Sequence, residues 1–316
     1  MDDVGIALQK TLKSAIHCRG VALHSGARVA MTLHPAEPDT GIVFRRTDRA
    51  GAEIKADWRN AVEQALCTRL DNGEGLSIAT IEHLMAALAG LEIDNTLIEI
   101  DGPEVPVMDG SAEPFVAAID QAGIVTLPAP RRFIEVLKPI RVMRDASLGE
   151  LRPNPRGFRL EVEIDFDNAM IGRQALSLDL DSASFRREIA RARTFGFMRD
   201  VAKLWSAGYA LGATFENTLV VTDNRILNQD GLRFADEFVR HKALDAIGDL
   251  ALAGAPLLAT YRSVRGGHKL NHAVISALMA DPTAWRLVEA GTVRRPRGHA
   301  DVATALAAPA FAPDVS

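Results

Sequence analysis

Cysteine is scarce in this chain of 316 residues, which contains only Cys18 and Cys67, too few for a disulfide framework. A run of about twenty apolar residues is also absent, so no transmembrane segment is predicted. The start, Met-Asp-Asp-Val, lacks the basic and apolar regions of a signal peptide. Together these absences predict a protein of the reducing cytoplasm.

Positive charge is not in excess either, since the net charge of −5 argues against nucleic acid as a main partner. The sequence contains neither a glycine-rich dinucleotide loop nor a phosphate-binding P-loop, so nothing indicates ATP or NAD. No fixed-period repeat is visible. The composition, 47% hydrophobic and 24% charged, is typical of a globular protein, and the length suffices for two domains.

A helical pattern at residues 234–253 is the most informative feature present. Phe238 is followed at helical spacing by His241, Asp245 and Asp249, while most of the remaining circumference is apolar. Buried ionisable groups are costly unless they are paired or bind a metal. His241 and Asp245, roughly 5–6 Å apart at Cβ, suit two ligands of one divalent ion, or form a hydrogen-bonded pair on a helix surface. A catalytic metal site requires a third ligand from elsewhere.

His83 is a candidate for that ligand, in a second predicted helix at residues 78–89. Glu82 and His83 lie beside its apolar face, and the next turn carries Ala86 and Ala87, which would let another helix approach closely. A glutamate beside a metal-binding histidine is typical of zinc hydrolases, where it acts as general base. The alternative is a solvated Glu-His pair. The His-Glu-x-x-His protease motif is absent, so a metal site must combine distant segments.

His268 lies between glycines and Lys269, in a segment predicted to be a flexible turn. A histidine in such a loop is commonly solvated. A mobile histidine is nevertheless the residue type required of a general acid.

Five segments together resemble the zinc-dependent UDP-3-O-acyl-N-acetylglucosamine deacetylase family of lipid A synthesis. The matching segments are residues 80–84, 106–111, 191–200, 228–234 and 238–249. They occur in the family's order and spacing, and the similarity extends from about Lys10 to about Trp285. The resemblance implies that His83, His241 and Asp245 hold one Zn²⁺ per chain, with Fe²⁺ as an alternative metal.

The resemblance also implies the remaining catalytic roles. Glu82 would be the general base, and His268 the general acid that protonates the leaving amine. Asp249 would orient His268, Thr194 would donate a hydrogen bond to the developing oxyanion, and Lys242 would contribute positive charge.

The same resemblance implies the substrate contacts. Phe195 would shape the sugar-binding cleft, and Asp165 and Phe166 would contact the uridine end. Segment 201–220 corresponds to a hydrophobic acyl-chain passage, although an ordinary buried β-α-β unit would explain its apolar content almost as well. The passage residues would be Val201, Tyr209, Ala210, Ala213 and Phe215.

Two features depart from the family pattern or leave an alternative open. Some members carry a lysine near residues 147–149, where the nearest cations here are Arg144 and Arg152, so nucleotide contacts in this region are not predicted. Cys67 matches a family position close to the metal, but it equally fits a small buried apolar residue.

The predicted elements mix strands and helices without strict alternation, which indicates an α+β fold. The strand-like runs are 29–33, 42–46, 96–100, 133–142, 158–166, 218–222 and 257–261. The helix-like runs are 78–89, 113–122, 184–192, 234–253 and 271–280. Prolines at 127–130 predict a boundary between domains 1–127 and 131–293, followed by a mobile tail, 294–316. The resemblance implies two similar two-layer α/β-sandwich domains with the active site in the cleft between them.

The leading hypothesis is a zinc amidohydrolase that removes acetate from UDP-3-O-acyl-N-acetylglucosamine, the committed step of lipid A synthesis. Two alternatives are a zinc deacetylase of another N-acyl sugar and a non-catalytic module that binds lipids or nucleotide sugars. Because the substrate carries a fatty chain, transient contact with a membrane surface is also considered, but no basic amphipathic helix indicates it.

Overall fold

The protein is described by a computed structural model that covers residues 7–64 and 66–290. The strands are β1 (Leu8–Leu12), β2 (Ile16–Val21), β3 (Arg28–Pro35), β4 (Ile42–Arg46), β5 (Ala52–Lys55), β6 (Ala61–Val62), β7 (Arg69–Asp71), β8 (Ser77–Ala79), β9 (Thr96–Ile100), β10 (Ile124–Pro130), β11 (Arg132–Val136), β12 (Ile140–Arg144), β13 (Ser147–Pro153), β14 (Phe158–Asp165), β15 (Arg173–Leu180), β16 (Phe195–Phe197), β17 (Leu219–Val221), β18 (Leu257–Val264) and β19 (Trp285–Glu289). The α-helices are α1 (Glu82–Gly90), α2 (Glu113–Ala122), α3 (Ser182–Ser184), α4 (Val201–Ser206), α5 (Glu237–Leu250) and α6 (His268–Ala280).

The first half of the chain builds a five-stranded sheet in the order β2-β3-β9-β4-β5. All its neighbours are antiparallel except β9 and β4, which are parallel. The connection from β5 to β9 contains α1, and α2 follows β9 and packs on β2. Strands with alternating burial, such as β3, place Val29, Met31 and Leu33 in the core between sheet and helices.

The second half repeats this topology. Strands β12, β13, β18, β14 and β15 pair in the same sequence of antiparallel and parallel neighbours, with β18 parallel to β14. Helix α5 precedes β18 and α6 follows it, as α1 and α2 flank β9. Strands β11 and β19 extend the second sheet. The α+β class and the two similar sandwiches are therefore confirmed.

Each half carries an insertion at the equivalent place, between its fourth strand and its long helix. The first insertion contains the small sheet β6-β7-β8, and the second contains β16, α4 and β17. Both insertions lead directly into the helices that carry the candidate site residues.

The two halves meet where α1 crosses α5. A Cβ atom on Gly248 of α5 would lie only 2.0 Å from the carbonyl oxygen of Glu82, so the crossing requires glycine at this position. Ala86 and Ala87 of α1 are fully buried. The expectation that small residues allow another helix to approach α1 is confirmed.

Three predicted elements differ from the structure. The helix predicted from residue 78 begins at Glu82, because residues 77–79 pair with β7 and Thr80 has a positive φ of 57° that no helix accommodates. The run 133–142 forms two strands, β11 and β12, separated at Pro139. The helix predicted at 184–192 is a π turn over Phe185–Ile189 after α3.

Residues 127–130, predicted as a break, continue strand β10, whose single partner among the described strands is β1. A strand with a single partner tolerates Pro128 and Pro130, since one side of its backbone needs no hydrogen bonds within a sheet. The domain boundary stays a prediction, and the tail 294–316 lies outside the described residues. Within the described ranges, no helix combines the length and apolarity needed to cross a bilayer.

Candidate active site

Three residues that could hold a metal come together where the two halves meet. His83 lies in the first turn of α1, and His241 and Asp245 lie one turn apart on α5. Their ligand-type atoms are all within 4.8 Å of one another, and all three side chains are buried. The Nε2 atoms of His83 and His241 lie 3.8 and 3.3 Å from Asp245 Oδ1. The donor set of two imidazoles and one carboxylate suits a divalent transition metal.

The protonation states of this group fit a metal. Burial lowers the pKa of His83 to about 3, with a further contribution from His241, whose own pKa is also lowered by burial. Burial opposes the ionisation of Asp245, but the neighbouring Lys242 and His241 outweigh it and hold the pKa of Asp245 below its usual range. Neutral imidazoles and an ionised carboxylate are the forms that coordinate metals.

The tautomer of His241 is set by its backbone neighbour. His241 Nδ1 lies 3.1 Å from the carbonyl oxygen of Ala192, so an Nδ1–H donates there and Nε2 is left as the ligand atom. The imidazoles of His83 and His241 stand edge to face, with centroids 5.0 Å apart.

Glu82 is the first residue of α1. It lies beside the candidate metal-ligand group, which consists of His83, His241 and Asp245. Its side chain is buried, and one carboxylate oxygen accepts a hydrogen bond from the backbone N–H of Thr68 at 3.0 Å. Burial raises the pKa of Glu82 to about 7; His268 opposes this effect and Asp249 reinforces it. A carboxylate with such a pKa is suited to accept a proton near neutral pH.

His268 lies beside both Glu82 and Asp245, with 3.8 Å between His268 Nε2 and Glu82 Oε1 and 4.0 Å between His268 Nε2 and Asp245 Oδ2. The prediction of a flexible turn here was wrong, because His268 is the first residue of α6 and its side chain is only 10% exposed. Burial would lower the pKa of His268, and a helix N-terminus also disfavours a cation. The carboxylates of Asp249 and Glu82 outweigh burial and raise the pKa of His268 to about 9.

Asp249 is fully buried and is held by three side chains. It lies 2.9 Å from His268 Nδ1 and accepts hydrogen bonds from Asn271 Nδ2 at 2.7 Å and from the hydroxyl of Thr68. Tyr261 in turn donates to Asn271 Oδ1 at 2.6 Å. Sequence reasoning assigned no role to Thr68, Asn271 or Tyr261, since none of them belongs to a pattern that points to Asp249.

Lys242 lies on α5 between the two metal-ligand residues. Its Nζ is 2.6 Å from Asp245 Oδ2, whereas His83 and His241 face the other carboxylate oxygen, Oδ1. Burial lowers the pKa of Lys242, but Asp245 more than compensates and leaves the pKa above its usual value. Lys242 is therefore a cation beside the metal-ligand group.

Thr194 and Phe195 lie two and three residues after Ala192, whose carbonyl contacts His241. Thr194 N donates to the Gly110 carbonyl at 2.8 Å, and the Thr194 carbonyl accepts from Leu219 N at 2.8 Å. The ring of Phe195 lies 6.1 Å from the ring of His241, centroid to centroid.

Phe166 continues this row of rings, 5.7 Å from Phe195, so it lies within reach of the same site. Asp165 forms an ion pair with Arg265. Of the two cations near 147–149, Arg144 pairs with Glu63, and Arg152 pairs mainly with Glu161. Both cations are thus engaged in ion pairs within the protein.

The segment 201–220 is not the buried β-α-β unit considered as an alternative, because α4 has no buried residue. Val201, Ala210 and Ala213 are half-buried and Phe215 is exposed. Tyr209 packs edge-on against His24, a histidine to which sequence reasoning gave no role, with ring centroids 5.4 Å apart. The segment also exposes the side chains of Trp205 and Leu211.

Cys67 is buried and free, beside the backbone that binds Glu82. Burial, with a smaller contribution from Glu82, raises the pKa of the Cys67 thiol to about 12. The thiol is therefore neutral at physiological pH and is not a nucleophile. Its burial fits a small apolar residue, and its neighbour Thr68, which binds Glu82, also places it close to the candidate metal site.

Comparisons with known proteins identify relatives across nearly the whole described chain. The sequence model of UDP-3-O-acyl N-acetylglycosamine deacetylase matches residues 9–280. The UDP-3-O-acyl-N-acetylglucosamine deacetylases of Brucella melitensis biotype 2, Brucella ovis and Brucella abortus strain S19 are each 51% identical over 286 residues. These alignments cover 90% of this chain and 99% of each relative.

Proposed function

This chain belongs to the UDP-3-O-acyl N-acetylglycosamine deacetylase family, and from that premise we propose that it hydrolyses the N-acetyl amide of UDP-3-O-acyl-N-acetylglucosamine. The products are acetate and the free amine, UDP-3-O-acyl-glucosamine, in the committed step of lipid A synthesis. The observation that supports the proposal is that the carboxylate of Glu82 and the imidazole of His268 lie beside the buried group of His83, His241 and Asp245.

We assign the metal position to Zn²⁺, with Fe²⁺ as an alternative. A divalent ion held by His83, His241 and Asp245 would polarise the amide carbonyl and lower the pKa of water to roughly 7. The lowered pKa values of both histidines and the ionised Asp245 support this assignment.

Glu82 takes the proton of the attacking water, since its pKa of about 7 lets it accept a proton at neutral pH. His268, protonated up to about pH 9, donates a proton to the departing nitrogen, because an amine anion is too basic to leave. Asp249 keeps His268 charged and oriented through its bond to Nδ1. Thr194 donates to the oxyanion that forms on the carbonyl, and the nearby Lys242 adds positive charge.

The substrate contacts remain proposals for individual residues. Phe195 borders the sugar beside His241, and Asp165 and Phe166 contact the uridine end. The acyl chain runs along segment 201–220, whose exposed apolar side chains would otherwise lie in water. The proposed contacts in that segment are Val201, Tyr209, Ala210, Ala213 and Phe215.

A non-catalytic binding module is disfavoured, because binding alone needs neither a buried carboxylate with a raised pKa nor a buried cationic histidine. A deacetylase of another N-acyl sugar would share the same catalytic residues. Cytoplasmic location is proposed from the two free, buried cysteines, and brief membrane-surface contact from the exposed Trp205 and Leu211.

The experiment measures acetate release from UDP-3-O-acyl-N-acetylglucosamine by protein stripped with a chelator, with and without added Zn²⁺. Turnover restored near one equivalent of Zn²⁺ supports the proposal, and UDP-N-acetylglucosamine without the acyl chain is the matched control substrate. Equal turnover of both substrates favours a deacetylase of other N-acyl sugars. Binding without turnover at any metal concentration favours a binding module.

A further inference from the structure

We propose that Glu237, through a buried ion pair with Arg193, is a positioning residue that fixes the backbone of residues 192–194. This backbone sets the tautomer of His241 and the place of Thr194. The part of the inference that concerns turnover rests on the function proposed above, whereas the part that concerns the His241 tautomer and metal affinity does not.

Glu237 is the first residue of α5, and its carboxylate is completely buried. Four N–H groups surround it. Arg193 supplies its backbone N–H at 3.0 Å and its Nε and Nη2 at 2.8 and 3.1 Å. Arg233 supplies its backbone N–H at 2.5 Å. Because both carboxylate oxygens accept hydrogen bonds, Glu237 holds each of these four donors in a fixed position.

The residues on both sides of Arg193 serve the site. The carbonyl of Ala192 lies 3.1 Å from His241 Nδ1. His241 itself lies one helical turn after Glu237 on α5. Thr194 follows directly. Because Glu237 and His241 share one rigid helix, an ion pair that fixes Arg193 on that helix also fixes the carbonyl that orients His241. The orientation matters because only an Nδ1–H tautomer leaves Nε2 available as a ligand.

The opposite side of this backbone is held by a turn at residues 108–111, a segment without a role in the proposed reaction. Gly110 accepts a hydrogen bond from Thr194 N at 2.8 Å. A Cβ atom on Gly110 would lie 1.9 Å from the carbonyl oxygen of Asn217, so the turn packs tightly there. Asp109 Oδ2 binds Arg233 Nη2 at 2.9 Å, which connects the turn to the donors of Glu237. Residues 192–194 are therefore held between α5 and this turn.

General stabilisation does not account for an ion pair at this place. Burying two charges costs about as much as their attraction returns, and a well-packed apolar pair often replaces a buried ion pair without loss of stability. An apolar pair would not fix the orientation of its two side chains, because apolar contacts are not directional. The fork of Arg193 binds both oxygens of Glu237 and also the carbonyl of Gly231 at 2.7 Å, a geometry that lysine does not reproduce.

The test compares Glu237→Gln with the parent protein, both loaded with Zn²⁺. The substitution preserves shape but replaces an acceptor by an amide donor that faces Arg193. We expect Zn²⁺ affinity, measured by chelator competition, to fall about 10- to 100-fold. We expect kcat to fall by a similar factor, with KM changed less than about threefold. In the metal-free protein, ¹⁵N imidazole shifts are expected to change from one His241 tautomer to a mixture.

Asp94→Asn is the matched control, because it breaks another ion pair of low exposure, with Arg131 at 2.8 Å, in which neither residue belongs to α5 or to residues 192–194. It is expected to lower the melting temperature while Zn²⁺ affinity and kcat stay within about twofold of the parent. If Glu237→Gln does not fold, Arg193→Lys gives the same readouts. A parent-like tautomer and parent-like Zn²⁺ affinity in a folded variant would overturn the inference. An inactive parent that binds Zn²⁺ would instead count against the proposed function.

Discussion

Side chains with the same ionisable group acquire opposite pKa shifts in this site because their neighbours differ. Glu82 and Asp249 are both buried carboxylates, yet the pKa of Glu82 is raised by burial whereas the pKa of Asp249 is lowered. Burial acts on Asp249 as well, but His268 and the Thr68 hydroxyl outweigh it. His83 and His268 differ in the same way, since burial and His241 lower the pKa of His83, whereas Asp249 and Glu82 outweigh burial at His268. The proposed division into metal ligands, base and acid rests on these contacts.

Glu82→Gln tests the role of the base. The substitution keeps the size of the side chain and leaves His83, His241 and Asp245 unchanged, so bound Zn²⁺ is expected to remain near the parent stoichiometry. Removal of a general base lowers kcat by about 10²- to 10⁴-fold. Metal content by atomic absorption and acetate release measure the two effects. Parent-like turnover in the substituted protein would remove Glu82 from the mechanism.

The pH dependence of kcat/KM tests the two proton-transfer groups together. Activity needs ionised Glu82, so it rises as pH increases through the pKa of Glu82, about 7 without metal and lower beside a bound cation. Activity also needs protonated His268, so it falls as pH increases through a pKa of about 9. We expect a bell-shaped profile.

The variant Asp249→Asn tests the alkaline limb of the pH profile independently of the acidic limb. Loss of the carboxylate removes the main group that raises the pKa of His268, so the alkaline limb should move down by about one to three pH units. The acidic limb should move little. An unchanged alkaline limb would assign it to another group.

At the scale of elements, the equivalent helices α1 and α5 each begin with a buried glutamate. Glu82 is the first residue of α1 and faces the site, whereas Glu237 is the first residue of α5 and binds Arg193. The duplicated topology thus places a helix start at the equivalent position of each half. The buried glutamate there faces the site in the first half and binds Arg193 in the second. The insertions β6-β8 and β16-β17 supply Thr68 and Thr194 beside these helix starts.

Periodicity in the sequence predicted α5 and most of α1, because an apolar face at helical spacing is a local signal. The same pattern placed His241, Asp245 and Asp249 on one buried stripe. Local patterns did not predict the start of α1, where pairing of β8 with β7 prevails over helical preference. The glycines before His268 predicted a flexible turn. Instead, Gly267 has an extended φ of −164° and is the N-cap residue of α6.

Contacts between segments that are distant in the chain could not be predicted from local sequence patterns. Thr68 is separated from Asp249 by 181 residues, and its hydroxyl belongs to no motif. The duplication was implied only by the family resemblance, because the two halves share strand order and not an evident repeat of residues. The position of the metal-ligand group depends on the α1–α5 crossing, which is a property of tertiary packing.

Gly248→Ala tests that crossing. The added methyl group would lie 2.0 Å from the Glu82 carbonyl, so α1 and α5 must separate. Overpacking of this kind costs about 1–3 kcal/mol in the free energy of unfolding, and it displaces Glu82 and His83. We expect a lower midpoint in urea unfolding together with weaker Zn²⁺ binding.

Gly196→Ala is the matched control, since no atom lies within 4 Å of the position of its added Cβ and its φ is not positive. It should unfold within about 0.5 kcal/mol of the parent, as substitutions away from tight packing do. Equal stability of the two variants would mean that the helices adjust without strain.

At the scale of the whole molecule, the metal-ligand group connects the two halves of the chain. His83 belongs to the first half, and His241 and Asp245 belong to the second. A ligand that binds only the folded protein stabilises it by mass action. An ion held from both sides therefore favours the arrangement in which the halves are in contact, and its removal should loosen that arrangement as well as abolish turnover.

Metal removal tests this connection. With Zn²⁺ at about a thousand times its dissociation constant, the folded state gains roughly 4 kcal/mol relative to stripped protein, and the melting temperature should rise accordingly. Hydrogen exchange in α1 and α5 should slow on metal addition, while β2 and β3, away from the crossing, should change less. Asp245→Asn weakens the site and should reduce both effects. A melting temperature that does not depend on Zn²⁺ would mean that His83, His241 and Asp245 hold no metal in the folded protein.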